Sequence, residues 1–148
     1  MLVSNHKSMI DVFLMLKVSS APFIFVGKKE LLKLPIFGFF YKKFAIMVNR
    51  DSAESRKAVY GHAERRLSQG LGICIFPEGG VFGPEVKLAP FKNGAFAMAL
   101  EKQIPILPVS LIGAYKIMKG SFFISWSRCF TIVGTGSIIF KSKIFWSN

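Results

Sequence analysis

The sequence predicts one α/β domain over residues 1–148, built on a mixed, mostly parallel β-sheet with helices on both faces. Three observations lead there. Apolar runs of strand length alternate with segments of helix length. No linker, internal repeat or low-complexity tract interrupts the alternation. The 148 residues also suit a single domain, large enough to bury roughly 70% of the unfolded surface.

Ser8 to Ser19 reads as a helix, with Ile10, Phe13, Leu14 and Lys17 along one face. Pro22 to Val26 reads as a short buried strand. Glu30 to Lys43 is mixed, with Pro35 and Gly38 expected to break any long helix. Phe44 to Val48 is a second apolar strand. Ser52 to Gln69 is the clearest helix: Ser52 is a natural N-cap, Glu54 and Arg65/Arg66 suit the helix dipole, and Gly70 ends it. Leu71 to Phe76 is a strand ending at Pro77. Phe91 to Gln103 reads as a helix and Ile106 to Ile112 as a strand. Ser121 to Phe145, rich in Phe, Ile and Thr, reads as one or more β segments.

Composition narrows the function. The chain carries 20 Lys+Arg against 8 Asp+Glu, a formal net charge of +12, yet 51% of it is hydrophobic and 16 residues are Phe. Its mean hydropathy is +0.43. Disorder is excluded, because disordered chains are poor in apolar residues. Two cysteines, Cys74 and Cys129, are too few for a disulfide framework or a four-ligand zinc site, and no metal centre is expected. No stretch reaches the ~18 uninterrupted apolar residues of a membrane span. The longest candidate, Leu31 to Val48, is interrupted by Lys33, Pro35, Lys42 and Lys43. Met1 to His6 carries no signal-peptide pattern. These features point to a peripheral protein on the cytoplasmic face of a membrane, apolar enough to lie against lipid and basic enough to be held by anionic headgroups. Leu31 to Tyr41 is a candidate lipid-facing stretch, and burial in a core is the other reading of it. A nucleic-acid-binding module is the competing class for such charge, but the basic residues are scattered and no nucleic-acid signature is present.

Two segments carry candidate chemistry. In Asn5-His6-Lys7-Ser8-Met9-Ile10-Asp11, Ser8 and Asp11 have capping-box spacing, so Asp11 can serve the start of a helix. If Ser8 is the cap, His6 lies outside the helix and is free to bend back toward Asp11. A His beside a carboxylate suits general-base work: the carboxylate fixes the tautomer while the other ring nitrogen takes a hydroxyl proton. In Phe76-Pro77-Glu78-Gly79-Gly80, directly after a strand, a glycine pair lets backbone approach a ligand, or simply makes a turn. The basic residues Lys28, Lys29, Arg50 and Lys92 fall near element ends. Each alone reads as a solvated charge; together at one sheet edge they would make a phosphate site. Cys74, mid-strand, reads as an inert buried thiol, and His62 as a surface or packing residue.

Four blocks in order resemble the glycerol-phosphate acyltransferase superfamily, specifically the 1-acylglycerol-3-phosphate (lysophosphatidate) acyltransferases. They are Asn5-His6 with Asp11, Phe44 to Arg50, Phe76-Pro77-Glu78-Gly79, and Pro105-Ile106-Leu107-Pro108-Val109. Gly27 to Leu31 and Phe91 to Phe96 are also similar to family segments, so the resemblance covers residues 3–113. It implies the acyltransferase fold and transfer of an acyl group from a thioester, acyl-CoA or acyl-carrier protein, to the free hydroxyl of a lysophospholipid, giving phosphatidate in phospholipid biosynthesis. His6 would be the general base and Asp11 its orienting partner. Arg50 would hold the acceptor phosphate, Glu78 and Gly79 would shape the acceptor site, and Lys28 and Lys92 would add phosphate contacts. No bound cofactor is implied; the partners are the acceptor, the donor and a phospholipid surface, without nucleic acid. Nothing in the sequence sets an oligomeric state. Two departures stand out. Gly80-Val81 replaces the family's Thr-Arg, with Lys87 or Lys92 as a substitute cation, and Phe44 and Met47 stand in the second block where the family has Gly and Phe. The hydrophobic helical segment that usually precedes the first block is also absent from these residues, which leaves an inactive lipid-binding remnant as the alternative.

Overall fold

The computed structural model describes residues 1–33, 35–49, 51–83, 85–113, 131–134 and 139–140. Strand β1 (Leu2–Ser4) leads into helix α1 (Ile10–Val18), then β2 (Phe23–Lys28), a 3-10 turn (Lys29–Lys33), α2 (Pro35–Phe44), β3 (Ala45–Val48), α3 (Ala53–Ser68), β4 (Gly72–Ile75), α4 (Gly94–Glu101) and β5 (Leu107–Ile112). Strands β6 (Thr131–Gly134) and β7 (Ile139–Phe140) follow. The sheet order is β3-β2-β4-β1-β5-β6-β7. All pairings from β3 to β5 are parallel; β6 and β7 add antiparallel pairs at one edge.

This order explains why helices cover both faces. The chain steps one way across the sheet from β1 to β2 to β3, then turns back to insert β4 beside β1 and cross to β5. Right-handed crossovers require the helices of the outward and return steps to lie on opposite faces. Accordingly, Met15, Leu14 and Val12 of α1 and Tyr41 of α2 pack with Phe25, Ala45 and Cys74 in one core. Val59 and Ala63 of α3 and Met98 of α4 pack with Ile24, Ile46 and Ile73 in the other. Neighbouring strand residues such as Ile24 and Phe25, or Ile73 and Cys74, alternate between the two cores as a pleated strand demands.

Local expectations hold with three adjustments. The Ser52 side chain accepts from Ser55 N at 3.1 Å and caps α3 as its sequence suggests. Pro35, expected as a breaker, instead opens the ten-residue α2, where its missing N–H has no intrahelical acceptor to lose. Gly38 lies inside α2, where the Leu32 backbone leaves no room for a Cβ. Helix α4 starts at Gly94 rather than Phe91, because Lys92 N donates to Pro77 O at 2.9 Å and ties that stretch to the turn after β4. The β segments expected over Ser121 to Phe145 are present as β6 and β7, and the other residues of that stretch lie outside those described. In Leu31 to Tyr41 the structure buries Tyr41 and leaves Phe39 exposed. Among the described residues, no helix is long and apolar enough to cross a membrane.

Met15 is wholly buried between α1 and the sheet. Met15→Ala is expected to lower unfolding free energy in urea by about 2–5 kcal/mol.

Candidate active site

The site forms where β1 and β4 end side by side. Their parallel register pairs Val3 with Ile75, so the residues that follow, Asn5-His6 and Phe76-Pro77-Glu78, leave the sheet together. This is the carboxyl edge of the strands, where open α/β sheets bind ligands. Asn5 fixes the exit on the other side: its side-chain amide donates to Leu111 O at 2.9 Å and accepts from Leu111 N at 2.7 Å, extending the β1–β5 pairing by one side chain.

His6 Nδ1 lies 3.0 Å from Asp11 Oδ2. The same oxygen accepts Lys7 N at 2.7 Å and Ser8 N at 2.8 Å. Asp11 thus closes the reverse arm of the capping box on Ser8 and holds the imidazole as well; the capping and base-orienting readings are both realised. The helix itself begins one residue after Met9, and Ser8 Oγ accepts from Ile10 N at 3.4 Å. Asp11 is fully buried, and its Oδ1 has no hydrogen-bond partner in the structure as described. With Nδ1 donating to the carboxylate, Nε2 keeps the lone pair. The ring stacks on Phe76 at 4.2 Å between centroids, and Phe76 stacks in turn on Phe25.

Glu78 is also buried, and both its oxygens accept backbone N–H groups. Oε1 takes His6 N at 2.6 Å and Oε2 takes Ala89 N at 2.8 Å. Its carboxylate therefore acts as a strut between the His6 segment and the loop after β4. Gly79 adopts φ +82° and presses against the Lys92 stem; a Cβ there would stand 3.0 Å from Lys92 Nζ. That doubly explains glycine at this position.

Beside the dyad, sharing Phe76 with it, lies a cavity of about 540 Å³. Val26, Val48, Val59, Ile75 and Met98 make its wall apolar; Arg56 and Lys92 supply two cations, and Gly94 and Ala95 bring the start of α4 to it. A helix start favours negative charge. Of the residues singled out by sequence, Gly79 and Lys92 line the cavity, while His6, Asp11 and Glu78 are joined to one another beside it. Lys28 stands exposed at the end of β2, 4.0 Å from Glu30, and does not line the cavity. Arg50 lies outside the described residues. Lys87 is exposed on the loop after β4, whereas Lys92 reaches Gly79 and lines the cavity. Sequence reasoning missed Arg56, whose position in the first turn of α3 carries no motif, and the pairing of Asn5 with Leu111, which needs the β1–β5 register. Cys74 is buried in β4, and burial pushes its thiol up, away from nucleophilic use.

Comparisons with known proteins give the family and the fold. Residues 1–112 match the family model Acyltransferase. The chain is 33% identical over 128 residues to 1-acyl-sn-glycerol-3-phosphate acyltransferase beta of Homo sapiens, covering 84% of this chain and 46% of that protein. It is 28% identical over 117 residues to the chloroplastic 1-acyl-sn-glycerol-3-phosphate acyltransferase BAT2 of Brassica napus, covering 78% of this chain and 33% of that one. The crystal structure of the 1-acyl-sn-glycerophosphate acyltransferase PlsC from Thermotoga maritima superposes with a TM-score of 0.63 at 29% identity, covering 81% of this chain and 47% of that one. The chain therefore spans a third to a half of the length of these relatives. A family match over residues 1–112, most of the chain, makes this protein a member of the acyltransferase family.

Proposed function

We propose that this chain catalyses acyl transfer from an acyl thioester to the free hydroxyl of a 1-acylglycerol-3-phosphate. The observation that carries the reading is the His6–Asp11 contact of 3.0 Å beside an apolar cavity with cations at it. Relatives named as acyltransferases for this acceptor support it.

His6 Nε2 takes the proton of the acceptor hydroxyl as the oxygen attacks the thioester carbonyl carbon. Asp11 holds the imidazole in the required tautomer and stabilises the imidazolium. The tetrahedral intermediate collapses with cleavage of the C–S bond, and the departing sulfur receives the proton from His6. A thioester is already activated, so the protein needs chiefly to position two substrates and move one proton. Lys92, supported by Arg56, faces the acceptor phosphate, while the apolar wall receives hydrocarbon. Arg50 is a further phosphate contact by family resemblance; Lys28, which does not line the cavity, is not assigned that role. The donor is acyl-CoA or acyl-carrier protein, and the protein works at a phospholipid surface to which its +12 charge draws it. An inactive lipid-binding remnant, suggested by Gly80-Val81, gives vesicle binding without turnover instead.

Three outcomes test the reading. His6→Ala and Asp11→Asn are each expected to lower kcat by about 10²–10⁴-fold in an assay with lysophosphatidate and acyl-CoA, with unchanged circular dichroism. Activity retained in His6→Ala contradicts it. Lys92→Ala is expected to raise KM for lysophosphatidate about tenfold and to leave kcat within about threefold. Co-sedimentation with anionic phospholipid vesicles is expected to be strong at low salt and to fall as salt rises, while neutral vesicles bind weakly. Tight nucleic-acid binding with a steep salt slope would instead favour the basic-module alternative.

A further inference from the structure

The side chain next to the base does work that the dyad does not account for. Lys7 is half-buried, and its ammonium turns away from the carboxylate that its own backbone N–H serves. Nζ donates to Gly83 O at 3.1 Å and to Val86 O. Both acceptors belong to the loop that runs from the turn after β4 toward α4. Val86 N donates to Gly83 O at 3.2 Å and closes the turn there; the Lys7 ammonium adds a charged donor to both carbonyls of that turn and ties it to the His6 segment. At the loop's base, Glu78 joins His6 N to Ala89 N. Lys7 and Glu78 are two struts between the segment bearing the base and the same loop. Among the described residues, Lys7 is the side chain that reaches from the His6 segment to this loop's tip.

The loop is in need of such a hold. It carries Gly79, Gly80 and Gly83, and its outward residues Val81, Phe82 and Leu88 are exposed, so little apolar burial fixes it. Its first limb contains Gly79, which lines the cavity and supports the Lys92 stem. A shift of that limb moves one wall of the cavity and one of its cations without touching the dyad, because Asp11 is held by backbone N–H groups that any residue at position 7 retains.

We infer that Lys7 is a positioning residue: its ammonium straps the loop after β4 in place and so sets the acceptor-side wall relative to His6. The inference rests on the acceptor reading above only for what the wall binds; the strap itself does not. It assigns to Lys7 an effect on acceptor affinity rather than on proton transfer.

Lys7→Met keeps the length and apolar stem and removes the charge, and Lys7→Arg restores a donor to both carbonyls. Two measurements on the full chain separate the roles. Amide hydrogen exchange is expected to accelerate over Val81 to Leu88 in Lys7→Met and to stay near wild type in Lys7→Arg. With lysophosphatidate and acyl-CoA, Lys7→Met is expected to raise the acceptor KM about tenfold with kcat within about threefold, and Lys7→Arg to recover most of that loss. Unchanged loop exchange in Lys7→Met overturns the strap. A faster-exchanging loop with unchanged KM overturns the positioning role, and so does a fall in kcat at constant KM. A wild-type chain without turnover refutes the acyl-transfer reading instead; the dissociation constant of lysophosphatidate then replaces KM, and equal affinity in wild type and Lys7→Met overturns the inference.

Discussion

Asp11 Oδ2 collects three nitrogen contacts within 3.0 Å: the Lys7 and Ser8 backbone N–H groups and His6 Nδ1. One buried carboxylate oxygen thus begins helix α1, shapes the turn between β1 and α1, and orients the imidazole. The other oxygen, Oδ1, is buried and has no hydrogen-bond partner among the described residues. The helix start and the reactive geometry are therefore one feature. A change that loosens the turn also frees the ring.

Topology supplies what this local turn lacks. Because β4 returns to lie between β2 and β1, the segment after β4 emerges beside His6. Glu78 and Phe76 then brace the base from its backbone and from its ring face. The same return places β4 next to β2 and, through it, β3, so Val26, Val48 and Ile75 line one cavity at one edge of the sheet. The two cores hold these strands from opposite faces, and the site sits where both end.

Much of this was legible in the residues. The alternation of strand-length and helix-length runs gave the α/β class, and the spacing of Ser8 and Asp11 gave both the cap and the route by which His6 meets the carboxylate. Other parts required three dimensions. Pro35 is read as a breaker in sequence because a proline's effect depends on whether it opens a helix or interrupts one, and only the α2 boundary decides that. The truncated start of α4 follows from a bond between Lys92 and Pro77, fifteen positions apart, which no local propensity encodes. Glu78 was placed at the acceptor site by its motif, but its carboxylate is spent on two backbone N–H groups, a role set by strand adjacency. Arg56 looked like one cation among 20 Lys+Arg until the cavity singled it out.

The measurement closest to the core of the account is the ring tautomer of His6, read from imidazole ¹⁵N chemical shifts in selectively labelled protein, with a His6→Ala sample to separate it from His62. The account predicts a protonated Nδ1 and a bare Nε2 for neutral His6, with that preference lost in Asp11→Asn. A proton on Nε2 in the wild-type chain, or a spectrum indifferent to Asp11→Asn, would contradict it.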